Sequence, residues 1–232
     1  MTSGQIHLLL DGALNTIYLT LGGAAVGLVL ALAAGLARAS GNRALRVIGA
    51  TYVEIFRGLP TLVLAFWFVF VLPAIGWRLE PLWAGMLALG LNIGAYAAEV
   101  VRGAIRAVPA GQLEAATALN FTRAQRVRRV VLPQAYVAML PPLGNNLIEL
   151  LKMTAVVSIV SIPDLTFNGQ LIRMSSGETT LVFTGLLFGY GLIALVLTTL
   201  MRALERHAAR SLGRTPEPGP LRRLLRRTEA TA

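Results

Sequence analysis

Cysteine is absent from the 232 residues, and charge is scarce, with Asp, Glu, Lys and Arg making up 14% of the chain. Without cysteine there is no disulfide framework and no thiolate metal site. His7 and His207 are the two histidines, too few for a His-based metal centre, so neither a metal nor a cofactor is expected. Soluble domains carry about 25% charged residues, and this shortfall argues against an aqueous globule. The single lysine, Lys152, follows "IELL" and therefore belongs to no GxxxxGK[ST] nucleotide loop.

What fills the chain is apolar. Residues 12–37, 58–77, 81–98, 130–148 and 179–201 contain no Asp, Glu, Lys or Arg. A helix needs roughly 20 apolar residues to cross the hydrocarbon core. The expectation is an all-α integral membrane protein with five transmembrane helices, multi-pass in the cell membrane. The net charge of +10 raises nucleic acid as a partner, and the placement of the charge argues against it. With the N-terminus outside and the C-terminus inside, 18 of the 21 basic residues fall on inner segments, leaving Arg78, Lys152 and Arg173 elsewhere. The positive-inside rule accounts for that skew, so no nucleic acid is expected. Residues 1–12 then form a short extracytoplasmic N-terminus, 13–206 the membrane domain, and 207–232 a basic, disordered cytoplasmic tail that meets anionic lipid or solvent. "MTSGQIHLLLDGALNT" has no basic start, and a secretory signal peptide is not expected.

Small residues dominate the first span. Gly23 and Gly27 form a GxxxG pair, which suits either dimerisation or, as the stronger expectation, an internal helix contact. Pro60 is placed in the first turn near the inner end of the second span, and Pro133 in the first turn of the fourth, which should end near Pro163.

The segment 109–132 is a hydrophilic interruption. Pro109 can start a short helix, with Glu114 near its positive end. Ala115 and Ala116 permit close approach of another surface. Asn120 tolerates a left-handed turn, and Thr122 with Gln125 has capping-box spacing for a second helix. Arg123, Arg126, Arg128 and Arg129 ride on that helix.

These residues resemble a known family. Glu114, Ala115, Ala116, Val130, Leu132 and Pro133 match, at the right spacing, the EAA pattern of membrane permeases from ATP-binding-cassette importers, with Asn120 in place of the usual Gly. "VEIFRGLPTLV", "AAEVVRGAIRAVPAGQLEAA" and "LPPLGNNLIELLK" resemble the polar-amino-acid group, of histidine/glutamine type. Leu59, Thr61, Met153, Thr154 and Ala155 depart from that group, and "NNLIELLK…IPDLTFNGQ" is also similar to ectoine/hydroxyectoine permeases. The resemblance implies a cytoplasmic coupling helix pair that docks on a separate ATPase subunit through Glu114, Ala115, Ala116, Asn120, Arg123, Arg126 and Pro133. It also implies a second permease subunit, identical or sister, and an extracytoplasmic solute-binding protein.

Polar groups inside the spans are the remaining candidates. Glu149 is expected deep in the fourth span, where an unpaired carboxylate costs about 2.5–3.5 kcal/mol by insertion scales. Lys152 at i+3 and Asn145 at i−4 share its face. The three either line a translocation path for a zwitterion or form a structural pair. Asn92 and Tyr96 share a face with Glu99 and are path candidates too. Glu54 with Arg57, and Glu99 with Arg102, have i,i+3 spacing and read as structural ion pairs. No catalytic residue is expected, because no nucleophile–base–orienter set is present. A membrane enzyme or a passive channel is the alternative, and a channel would have no use for the 109–132 segment.

Overall fold

The computed structural model describes residues 3–211, and among these residues there is no strand. In chain order the helices are α1 (Ser3–Ala39), α2 (Arg43–Gly58), α3 (Thr61–Ala74), α4 (Pro81–Arg106), α5 (Ala110–Ala118), α6 (Arg123–Val160), α7 (Leu165–Ser176) and α8 (Thr179–Ser211). By length and composition α1, α4, α6 and α8 can each cross a membrane, and α2 with α3, bent by 96°, makes a fifth candidate if the pair is counted as one span. The stretch expected to span as one helix over 58–77 is therefore divided, with α2 and α3 meeting at that bend.

Glycine decides the central seam, between α1 and α4. A Cβ added at Gly90 would lie 2.7 Å from Val26 and 3.0 Å from the Gly23 carbonyl oxygen. One added at Gly27 would lie 3.2 Å from the Gly90 carbonyl oxygen. Lipid tails supply no hydrophobic drive between helices, so close backbone approach is what holds such a seam. The Gly23/Gly27 pair thus serves an internal contact. Around it Leu19, Ala65, Leu89, Leu150, Val157 and Ile162 form the main buried cluster, joining α1, α3, α4 and α6.

The bend between α2 and α3 has a local cause and a distant remedy. Leu59 precedes Pro60, whose ring disfavours the helical region for its neighbour, and Leu59 adopts φ −92°, ψ 132°. Pro60 is itself extended and stands just before α3, one position short of the first turn where it was expected. Carbonyls freed by the break are met from α4: the Asn92 side chain donates to Phe56 O at 2.8 Å and Leu59 O at 3.2 Å.

Two π turns recur before the sequence Val-Leu-Pro. Residues Trp67–Val71 precede Leu72-Pro73, and Val127–Val131 precede Leu132-Pro133. Proline lacks an N–H and its ring clashes with the carbonyl four residues back; the wider turn relieves both. As a result Pro133 does not begin a span. Instead α6 runs unbroken from Arg123 through it, so the expected second helix of the 109–132 segment is continuous with the fourth candidate crossing. That crossing ends at Val160, followed by Ser161 in a left-handed conformation, close to the expected limit at Pro163.

Next comes α7, capped by Asp164 and tied to the start of α1. Asn15 Nδ2 donates to Pro163 O at 2.8 Å, Leu165 N to Thr16 Oγ1 at 3.0 Å, and Asn168 Nδ2 to Leu8 O at 2.8 Å. Residues 3–12 are thus helical, with Leu8, Leu9 and Gly12 packed against α7 and its surroundings and most of the others exposed. Helix α8 continues past 206 to Ser211, and the rest of the expected tail, 212–232, lies outside the described residues.

Candidate functional site

A cavity of about 430 Å³ opens where the bend meets α4 and α6. Arg57, Gly58, Leu59, Pro60 and Thr61 supply one wall, Asn92, Ile93 and Tyr96 the second, and Asn146, Glu149, Leu150 and Met153 the third. Its depth follows from Leu150, which is in contact range of Gly23, near the middle of the charge-free stretch of α1.

The polar groups divide into fixed and free. Asn92 is buried and committed to the bend; it shapes the wall and offers no free donor there. Arg57 stacks its guanidinium 5.0 Å above the Tyr96 ring. Among the described residues no ion pair joins Arg57 to Glu54 within 4.0 Å, so that expected pair is replaced by a cation–π contact. Arg57 lies in the last turn of α2, and that turn faces α4 across the bend.

On α6, Glu149 lines the cavity while Asn145 and Lys152 do not. The helical period explains the difference. Asn146, Glu149, Leu150 and Met153 share one face, whereas Asn145 and Lys152 lie on the next face round, with Glu149 at the border. Glu149 and Lys152 stand 3.6 Å apart with side chains 52% and 69% exposed. Nδ2 of Asn146 is buried without a hydrogen-bond partner among the described residues. Sequence reasoning chose the neighbouring Asn145; the Asn-Asn doublet signalled polarity at this depth, but not which of the two turns inward.

A second polar cluster lies at the arginine-rich end. Glu99 pairs with Arg38 of α1 and accepts from Arg102 Nε at 2.9 Å and Nη2 at 2.6 Å. The Glu99–Arg102 pair was expected; Arg38, which locks α1 to α4, was not.

The 109–132 segment forms a hairpin. Pro109 precedes α5, Asn120 takes φ 57°, and the Thr122–Gln125 capping box is complete, with Gln125 N to Thr122 Oγ1 at 3.3 Å and Thr122 N to Gln125 Oε1 at 2.8 Å. Phe121 N closes the turn on Ala116 O at 3.0 Å. Ala116 is buried, whereas Glu114, Ala115 and Arg123 are exposed. Leu113, Glu114, Thr117, Ala118 and Arg126 surround a shallow open depression.

Residues 23–214 match the binding-protein-dependent transport system inner membrane component family. The chain belongs to that family. It is 45% identical over 208 residues to a probable amino-acid ABC transporter permease of Sinorhizobium fredii, covering 87% of each. It is 36% identical over 203 residues to the glutamine transport system permease of Escherichia coli, covering 87% of this chain and 93% of that one. A crystal structure of an amino acid ABC transporter with histidines superposes with a TM-score of 0.81 at 31% identity, over 89% of this chain and 100% of that chain. The inward-facing methionine ABC transporter matches at 24% identity with a TM-score of 0.76, a likeness of fold alone. This family member is a multi-pass permease component of the plasma membrane, and its relatives are permease subunits rather than enzymes.

Proposed function

We propose that the chain forms half of the translocation path of an ATP-driven importer for a polar amino acid or a related zwitterion. One observation carries this reading: a cationic Arg57 and an anionic Glu149 line the same mid-depth cavity. A charge at that depth is costly against lipid, so these groups face water or solute. A zwitterion has its carboxylate for Arg57 and its ammonium for Glu149, with the unpartnered Asn146 amide between them. Lys152 and Asn145 line the approach from the neighbouring face. The amino-acid transport names of the relatives support the same substrate class.

The partners follow from the same reading. With the N-terminus outside and the C-terminus inside, the α5–α6 hairpin is cytoplasmic and docks on a separate ATP-binding-cassette ATPase through the segment that carries Glu114, Ala115, Ala116, Asn120, Arg123, Arg126 and Pro133. A second permease, identical or sister, closes the exposed Glu149–Lys152 face of α6. A solute-binding protein delivers substrate from outside. Leu187, Phe188, Leu192 and Leu195 on α8 are exposed and meet lipid.

The test is uptake into proteoliposomes containing the permease, its ATPase and its binding protein, across a panel of labelled amino acids and ectoine. ATP-dependent uptake of at least one zwitterion, lost in Glu149→Gln and in Arg57→Gln with ATPase still bound, is the expected result. Full transport in both variants would reject the zwitterion site.

A further inference from the structure

Regular helix geometry fails at one place near the hairpin, and α5 is fastened on both sides of it. Residues Val127–Val131 of α6 form a π turn, closed by Leu132 N on Val127 O. Ahead of that turn, Arg126 Nη1 donates to Thr117 Oγ1 at 2.8 Å. Beyond it, Gln134 Nε2 donates to Gln112 Oε1, and also to Val130 O at 3.0 Å. Arg129, inside the turn, holds its guanidinium 5.8 Å from the Phe121 ring in the connecting bend.

The geometry gives these bonds a mechanical consequence. A short helix held at one point pivots; held at two points it moves only with the body that carries both. Gln112 and Thr117 are five residues apart on α5, about 7.5 Å at 1.5 Å rise per residue. Their partners Arg126 and Gln134 straddle the π turn, where the α6 ladder departs from α geometry. Relaxing that turn to α geometry would rotate everything beyond it by about 100° per residue of register. Asn146 and Glu149 lie beyond it on α6.

We propose that α5 splints the π turn, and that Gln134 is the positioning residue through which displacement of α5 reaches α6 as a rigid lever. This deepens the reading above, since it rests on α5 being where the ATPase docks. Without Gln134 the side-chain tie left between α5 and α6, from Arg126, lies ahead of the π turn; a push on α5 is then absorbed as pivoting and flexing of the turn, and the cavity residues stay where they are.

The experiment uses the complete importer in proteoliposomes and reads substrate moved per ATP hydrolysed. Gln134→Leu is expected to retain the ATPase subunit and its hydrolysis, while the ratio falls about 5-fold or more, the scale of an ordinary coupling free energy. Because the chain has no cysteine, Gln112→Cys combined with Gln134→Cys gives a selective pair. With free thiols it should show the same fall, and a short bifunctional thiol reagent joining the pair should restore the ratio. Should Gln134→Leu fail to assemble, Gln112→Leu removes the same bond from the exposed side and is read identically. An unchanged ratio in the leucine variant, or a linked pair still at the free-thiol level, overturns the splint. Failure of the unsubstituted chain to bind any ATPase overturns the docking reading instead.

Discussion

Asn92 and Phe56, 36 positions apart in the chain, are joined by a 2.8 Å hydrogen bond across the bend between α2 and α3. In hydrocarbon, every freed backbone carbonyl needs a partner from the protein or from water it encloses. Asn92 supplies one for Phe56 and a second for Leu59, and in doing so it fixes where the cavity wall stands.

Removing that clamp should therefore be costly. Asn92→Leu, of similar volume, leaves two carbonyls unmet at an expected cost of about 1–3 kcal/mol each. A lower unfolding temperature of the purified protein in detergent, with uptake reduced in parallel, is the expected result. An unfolding temperature equal to that of the parent would show that the bend holds itself.

Asp164 predicts a pH response at the opposite end of the bundle. Its buried carboxylate accepts from Phe167 N and from the Tyr190 hydroxyl, both at 2.8 Å. Burial raises its pKa above the usual Asp range, against the opposing effect of those bonds. A raised folded-state pKa means the folded form binds its proton more tightly than the unfolded chain does. That contribution is fully present below about pH 4, the ordinary Asp value, and is lost as pH rises through the raised value. Thermal unfolding should thus show stability declining as pH increases over that window. Asp164→Asn keeps a carbonyl acceptor for Phe167 and should flatten the decline; the same slope in the variant would assign the effect to other groups.

The hairpin turn makes a backbone prediction. Asn120 sits at φ 57°, where a β-branched residue is strained by roughly 1–2 kcal/mol and glycine is not. Asn120→Val should loosen the connection, seen as faster amide exchange through α5 and weaker retention of the ATPase. Asn120→Gly should leave both near parent values. Equal behaviour of the two variants would mean that the left-handed turn is not what orients α5.

Sidedness can be read with single cysteines in this cysteine-free chain. Thr122→Cys is expected to react with a membrane-impermeant thiol reagent only from the cytosol, and Ser175→Cys, exposed near the end of α7, only from outside. Labelling of residue 122 from the exterior would invert the topology and remove the hairpin from any ATPase.

Several features were legible in the sequence because their causes are local. Charge-free length marks a crossing, an Asn after a short helix permits a left-handed turn, and a Thr–Gln spacing of three makes a capping box. Each depends on residues within a turn or two of one another, so Asn120 and the Thr122–Gln125 cap could be placed without tertiary information. Pro133 shows the limit even there: the proline was visible, but the π turn that lets α6 pass through it depends on how the whole ladder relaxes.

The amino-acid sequence by itself determined that the chain belongs in a membrane, which family it resembles, and that Asn120 and the Thr122–Gln125 cap turn the 109–132 segment back on itself. Tertiary structure alone decided that Arg57 turns to Tyr96 rather than Glu54, that Asn146 rather than Asn145 faces the cavity, and that Asn92 holds the bend. Those choices join residues on different helices, or select one of two adjacent helix faces. Burial and hydrogen-bond satisfaction across the bundle settle them, and nothing within a single helical turn can.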